Sequence, residues 1–268
     1  MASGGLGYSS AVVEGSFTSL GNEGTQRGQL AAEVPVALVY NGRPHVVMMC
    51  TPADLEDFAI GFTVTEGIAT AQDVRRTDVV RYSGGIEVQV EISPSAADAL
   101  AERGRSLVGR TGCGLCGVET IHEALRDLAP VRSSTRVAAD ALRRAGKALG
   151  DRQPLNADTH AIHAAAWADA RGELAIVRED VGRHNALDKV IGALLRSGTD
   201  AATGFALVTS RASYELVQKA AVANIPLLAA VSRPTALAVQ LAQDSGITLV
   251  GLLRGETANV YTHPDRIH

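Results

Sequence analysis

The polar and apolar positions of this chain change rhythm along its length. From residue 33 it reads "EVPVALVYNG" and then "RPHVVMMC", two apolar-rich runs parted by Asn41-Gly42. That pattern predicts a strand, a tight turn and its hairpin partner. "TPADLEDFAIGFTVTEGI" follows. Thr51 is placed to cap a helix, Pro52 suits a first turn, and Asp54 and Glu56 favour the positive end of the helix. "DVVRYSGGIEVQVEIS" predicts a second hairpin turning at Gly84-Gly85. Residues 29–108 therefore form a small α+β domain that closes on a helical stretch over 95–107. Residues 1–28, rich in Gly, Ser and Thr, are expected to be a disordered tail.

The last third has a different rhythm. "FALVTS", "PLLAAVS" and "ITLVGLLR" are apolar without alternation, and helical stretches lie between them. Such strands belong to a parallel sheet covered on both faces. Residues 109–133 connect the halves, with "VETIHEAL" helical and "PVRSSTR" a boundary. An amphipathic helix over 137–149 opens the second domain, residues 134–268. The fold class is α/β with a smaller α+β N-terminal domain. Arg211, Arg233 and Arg254 each close one of the last three strands, one strand-helix unit apart.

Composition narrows the setting. The chain has 268 residues, 46% of them hydrophobic, enough for about two domains with real cores. A net charge of −4 argues against a broadly basic nucleic-acid surface and leaves single anion pockets open. No run reaches the ~20 apolar residues of a membrane span, and no basic-then-apolar leader begins the chain. Three cysteines make no disulfide framework. Cys50 falls in an apolar run and is expected to be buried. A reducing cytoplasm fits, where a cysteine pair is more often catalytic or metal-binding than structural.

Three places could carry chemistry. At the carboxyl ends of the parallel strands stand "TSRAS", "VSRPT" and "LLRGET". Ligands of open α/β sheets bind along that edge. Ser210, Arg211, Ser232 and Arg233 offer hydroxyls and guanidinium forks to phosphate oxygens, or they cap helices and meet water. "REDVGRHNALDK" places Arg183 and His184 at the start of a helix, where cations oppose the dipole unless an anion is near. The alternative there is an ordinary amphipathic helix capped by Asp180. His160 and His163, in "THAIHAAAW", could share a helical face, and nothing else completes a ligand set. The third place is "TGCGLCG", residues 111–117. Its two thiols are half of a structural zinc site, and His122 adds only a third ligand. A zinc nucleoside deaminase would need Pro where Gly112 stands and an upstream His-x-Glu. Glycines 114 and 117 make a poor thioredoxin-type helix. Sulfur or redox transfer, metal binding and a structural role all stay open on these residues.

The motifs "EVPVALVYNG", "GFTVTEGI", "RTGCGLCGVE", "EDVGRHNALDK", "SRASYELVQKAA", "TLVGLLRG" and "YTHPDRI", in this order from Glu33 to Ile267, resemble the formate dehydrogenase accessory protein family, FdhD. The resemblance implies a sulfur carrier. It would take persulfide sulfur from an L-cysteine desulfurase and pass it to molybdenum bis(molybdopterin guanine dinucleotide), the cargo that formate dehydrogenase needs in sulfurated form, with no metal of its own. It also implies a homodimer and a three-layer α/β/α, cytidine-deaminase-like C-terminal domain. Cys113 falls on the family's persulfide carrier and Cys116 on its assisting thiol. The cofactor-binding stretch falls on Leu252, Leu253, Arg254, Gly255, Glu256 and Thr257. His160 stands where the family pattern has Gly. A cofactor-binding chaperone and a Cys113–Cys116 redox sensor are the rival classes.

Overall fold

The computed structural model describes residues 10–20, 24–107, 128–255 and 257–268. Two mixed sheets carry the architecture. The first has four strands in the order β4-β3-β6-β5, where β3 is Val34–Tyr40, β4 Arg43–Cys50, β5 Val74–Tyr82 and β6 Gly85–Ile92. The expected hairpins are present, and the two join through a parallel β3–β6 contact. Asn41 and Gly42 both take positive φ in the first turn, and the Asn41 side chain exchanges two hydrogen bonds with the Ile92 backbone. Helix α1, Leu55–Thr65, covers this sheet, with Phe58 and Phe62 packed against Val36, Leu38, Val88 and Val90. Helix α2, Pro94–Leu107, follows β6.

The N-terminal segment departs from the tail expected over residues 1–28. Val12–Phe17 (β1) and Gln26–Ala31 (β2) pair as an antiparallel ribbon. Gly15 lies opposite Gly28 in that register, and the Phe17 ring and Leu30 side chain lie over the two positions that lack a Cβ. Large side chains covering glycines in this way hold a ribbon whose composition alone suggests disorder.

The second sheet has six strands in the order β12-β11-β10-β9-β7-β8: β7 His163–Asp169, β8 Leu174–Asp180, β9 Gly204–Val208, β10 Leu227–Ala230, β11 Thr248–Arg254 and β12 Thr257–Val260. Strands β9, β10 and β11 are parallel, as their unalternating apolar pattern predicts. Both faces are covered. Helix α3, Ala139–Asp151, packs through Ala141, Leu142, Ala145 and Leu149 on the face that carries Phe205, Leu207 and Leu253. On the other face, α5 (Arg183–Ser197) and α6 (Tyr214–Val222) pack over Ala165, Trp167, Ala206 and Val208, and Ala238 and Ala242 of α7 (Ala236–Asp244) join that cluster. A short α4, Pro154–Thr159, precedes β7.

Helices α1 and α5 join the two sheets. Their backbones touch where glycines face them: a Cβ at Gly61 would strike the Asp188 carbonyl, and one at Gly192 the Asp57 carbonyl. Buried charges flank that contact. Lys189 and Asp180 are fully buried and 2.7 Å apart. Thr51 does not cap α1; Asp54 stands at the cap in a left-handed conformation and makes no side-chain cap bond. Thr51 instead bridges the two sheets. Its amide donates to Asp180 Oδ2 at 3.0 Å, its carbonyl accepts from Lys189 Nζ at 3.1 Å, and its hydroxyl accepts from the Val181 amide. Asp57 pairs with Arg178 and Arg196, and Asp188 with Lys219 and the Thr65 hydroxyl.

Removing one partner of a buried pair strands the other charge. Lys189→Met should therefore lower stability by ~3–5 kcal/mol. The double change Lys189→Met with Asp180→Asn should cost less than the sum of the singles. Urea unfolding of the three variants checks both statements.

Candidate functional site

The parallel register sets the ends of β9, β10 and β11 side by side. The Ser232 amide donates to the Ser210 carbonyl and the Leu252 amide to the Ser232 carbonyl. Arg254 lies across its neighbour: Nε donates to the Val231 carbonyl at 2.9 Å, and Nη2 approaches Ser232 Oγ at 3.4 Å. A shift of register between Gly251 and Arg254 bulges β11, and Leu252 sits there at φ 56°. A left-handed residue with a Cβ costs about 1 kcal/mol or more, and such strain gathers at working sites. Leu253 packs inward toward α3, while Arg254 and Gly255 stay exposed at the edge.

A cleft of about 520 Å³ opens there, on the α3 face of the sheet. Thr209, Val231, Leu253, Arg254 and Gly255 form its floor, and Arg143, Arg144, Lys147 and Gln153 rise from or just beyond α3 as its wall. Gly146 lets the helix approach, since a Cβ there would sit 3.0 Å from Leu253 Cδ2. Arg144 is steadied by donating to the Arg171 carbonyl at 2.8 Å. A volume of this size with convergent cations suits a phosphorylated small molecule.

Of the strand-end residues picked from sequence, Leu253, Arg254 and Gly255 line the cleft. Arg211 and Arg233 are exposed, and neither they nor Ser210 and Ser232 line it. Ser210 and Ser232 are not helix caps either. Ser213 stands at the cap position of α6 and Thr235 at that of α7, with the Thr235 hydroxyl accepting from the Ala238 amide. Ser210 is buried and donates to the Arg211 carbonyl. Thr257 starts the edge strand β12 and donates to the Arg254 carbonyl. Glu256, Cys113, Cys116 and His122 lie outside the described residues.

The α3 wall was missed. Its sequence, "RRAGKALG", does carry a signal: Arg143 and Lys147 lie one turn apart on a face that also has glycines 146 and 150. The histidine pair is corrected. His163 begins strand β7, whereas His160 closes α4 at φ 52°, so they share no helical face. That φ gives a physical reason for a glycine at position 160, which His160 fills under strain. Gly182, not Asp180, stands at the cap of α5. Among the described residues no group of three or more His, Cys, Asp or Glu could hold a metal ion, and no helix is long and apolar enough to cross a membrane.

Cys50 is fully buried at the end of β4, 3.3 Å from Asn185 Nδ2. Burial, with Asp180 nearby, pushes its thiol far above the usual range.

Comparison with known proteins gives one consistent result. The model of the FdhD/NarQ family matches residues 31–268. The chain is 55% identical over 248 residues to the sulfur carrier protein FdhD of Xanthomonas euvesicatoria pv. vesicatoria, covering 92% of this chain and 88% of that protein. It is 53% identical over 243 residues to the sulfur carrier protein FdhD of Bordetella bronchiseptica, covering 90% and 88%. The crystal structure of a Desulfotalea psychrophila protein described as a formate dehydrogenase accessory protein superposes with a TM-score of 0.76 at 26% identity, covering 96% of this chain and 98% of that one.

A buried, protonated thiol does not react. Native protein treated with iodoacetamide should leave Cys50 unmodified, and denatured protein should not; peptide mass spectrometry reads the difference. Rapid native labelling at Cys50 would show that the Asn185 contact does not close the site.

Proposed function

We propose, because this chain belongs to the FdhD/NarQ family, that it is a sulfur carrier that serves the maturation of formate dehydrogenase. The observation that carries this reading is 55% identity, over 92% of the chain, to a protein named a sulfur carrier. Cys113 is the carrier. Its thiolate attacks the outer sulfur of a persulfide on an L-cysteine desulfurase. The donor's S–S bond breaks, the donor cysteine leaves as thiolate, and Cys113 holds the sulfur as a persulfide. Thiolate is the reactive form, so loading rises with pH, toward the ~8.5 of an unperturbed cysteine thiol. Cys116, separated from Cys113 by Gly114 and Leu115, assists.

The cargo is molybdenum bis(molybdopterin guanine dinucleotide), which brings the metal centre that accepts the sulfur. The cleft supports a nucleotide at this edge. Its floor offers Arg254 and its wall Arg144 and Lys147, cations suited to a pyrophosphate, and Leu253 supplies an apolar surface. The six-stranded layer between α3 and α5–α7 supports the reading of a cytidine-deaminase-like domain. We read the protein as a cytoplasmic homodimer that meets both the desulfurase and formate dehydrogenase. The cationic cleft favours a second reading as well, a cofactor chaperone whose cysteines carry nothing. Sulfur loading separates the two.

Cys113→Ala should abolish the added sulfur seen by mass spectrometry after incubation with desulfurase and cysteine, while Cys116→Ala should still load. Loading of Cys113→Ala at the wild-type level would leave only the chaperone reading. For the cleft, Arg254→Ala should weaken GDP binding by about one to two decades, the loss of one charge-assisted contact. Arg211→Ala and Arg233→Ala should weaken it less, and all three variants should load sulfur normally. Calorimetry with GDP decides, and equal losses in the three would move the nucleotide out of the cleft.

A further inference from the structure

The opposite face of the same sheet edge holds a second group of polar side chains that the sulfur-carrier reading does not use. Strand β7 runs antiparallel to β9, so His163 at its start lies at the edge where β9 ends, paired with Asp180 at the end of β8. Helices α5 and α6 both begin at this edge, with Arg183 and Tyr214. His184 Nε2 is 3.1 Å from Glu215 Oε2 and 3.4 Å from Ser213 Oγ. Ser213 donates to Glu215 Oε2 at 2.9 Å and makes no cap bond to α6.

Arg183 stands out in this group. Its Nε is shut off from solvent and has no hydrogen-bond partner, the only buried side-chain nitrogen or oxygen in that condition among the described residues. A buried N–H without a partner loses its hydration with nothing in return, and the loss is greater when the group is charged. The Arg183 charge acts on its neighbours: together with burial it lowers the pKa of His163 and His184, and it adds to the forces that hold Glu215 ionised. A positive field, a guanidinium with an unpartnered Nε, an imidazole and a hydroxyl thus come together from β7, α5 and the start of α6. Glu215 is the carboxylate that serves His184 and Ser213.

We propose that this corner binds a phosphate-like oxyanion through Arg183, His184 and Ser213, at a site separate from the α3 cleft. The guanidinium fork meets two oxygens, and the imidazole and hydroxyl meet the others. Glu215 competes with the anion for the same two donors. The proposal does not depend on the sulfur-carrier reading. The oxyanion is either free or the phosphate of a larger ligand.

The test follows the ring resonances of His163 and His184 by NMR during titration with inorganic phosphate and, separately, with GDP. Saturable shifts of both rings with phosphate are expected. Arg183→Gln should weaken that binding about tenfold or more, through loss of a charge-assisted contact. Glu215→Gln should tighten it, because the competing charge is gone. Arg254→Gln, in the α3 cleft, should leave it unchanged. If GDP moves the same rings at lower concentration than phosphate, the occupant is a nucleotide's phosphate. If phosphate alone moves them, it is a free oxyanion. Absence of a saturable shift with either ligand, unchanged binding in Arg183→Gln, weaker binding in Glu215→Gln, or equal loss in Arg254→Gln would each overturn the proposal.

Discussion

Lys189 and Asp180 sit 2.7 Å apart with no exposure to water; Gly182, Asn185 and the Glu179 carbonyl meet part of their hydrogen bonding, and Thr51, just after β4 of the other sheet, supplies one more donor to Asp180 and one more acceptor to Lys189. Taking two charges out of water costs several kcal/mol per ion, and only good geometry with every remaining donor and acceptor satisfied offsets that. The second sheet alone cannot satisfy them. Asp180 lacks one of its donors, and Lys189 one of its acceptors, until the residue after β4 docks. Association of the two sheets and satisfaction of the pair are therefore one event. Such a pair adds little net stability over an apolar contact, but it penalises any other docking of α1 on α5.

The glycines make that docking possible. Gly61 and Gly192 face backbone carbonyls of the partner helix with no room for a methyl group, so α1 and α5 approach to backbone contact. At that distance Asp57 reaches Arg178 and Arg196 from one end of the crossing, and Thr65 and Glu66 reach Asp188 and Lys219 from the other. Helix α5 is held along its length. Its first turn, with Arg183 and His184, is thereby set against β7 and α6. The α3 cleft lies on the other face of the sheet and shares only the strand ends with this assembly.

Much of the cleft's position was legible. The strand ends follow from apolar runs between helices, and Arg254 was marked by its place at the end of β11. Two things were not legible. Arg211 and Arg233 repeat the same pattern, yet neither lines the cleft, because a one-dimensional spacing does not say on which face of a sheet edge a side chain leaves the strand. The α3 wall escaped for a related reason. Amphipathic periodicity marked a helix over 137–149, whose buried stripe is Ala141, Leu142, Ala145 and Leu149, and it is silent about what the exposed stripe faces.

By itself the sequence determined the hairpins at Asn41 and Gly84, the parallel order of β9 to β11, the burial of Cys50 and the family motifs. Each of these depends on local period, turn chemistry or a contiguous string of residues. Tertiary structure alone decided that Thr51 bridges two sheets instead of capping a helix, that Gly15 and Gly28 belong to a ribbon and not a tail, and that a lysine and an aspartate become a buried pair. Those outcomes depend on partners far away in the chain, whose energies exist only once desolvation and close packing have brought them together.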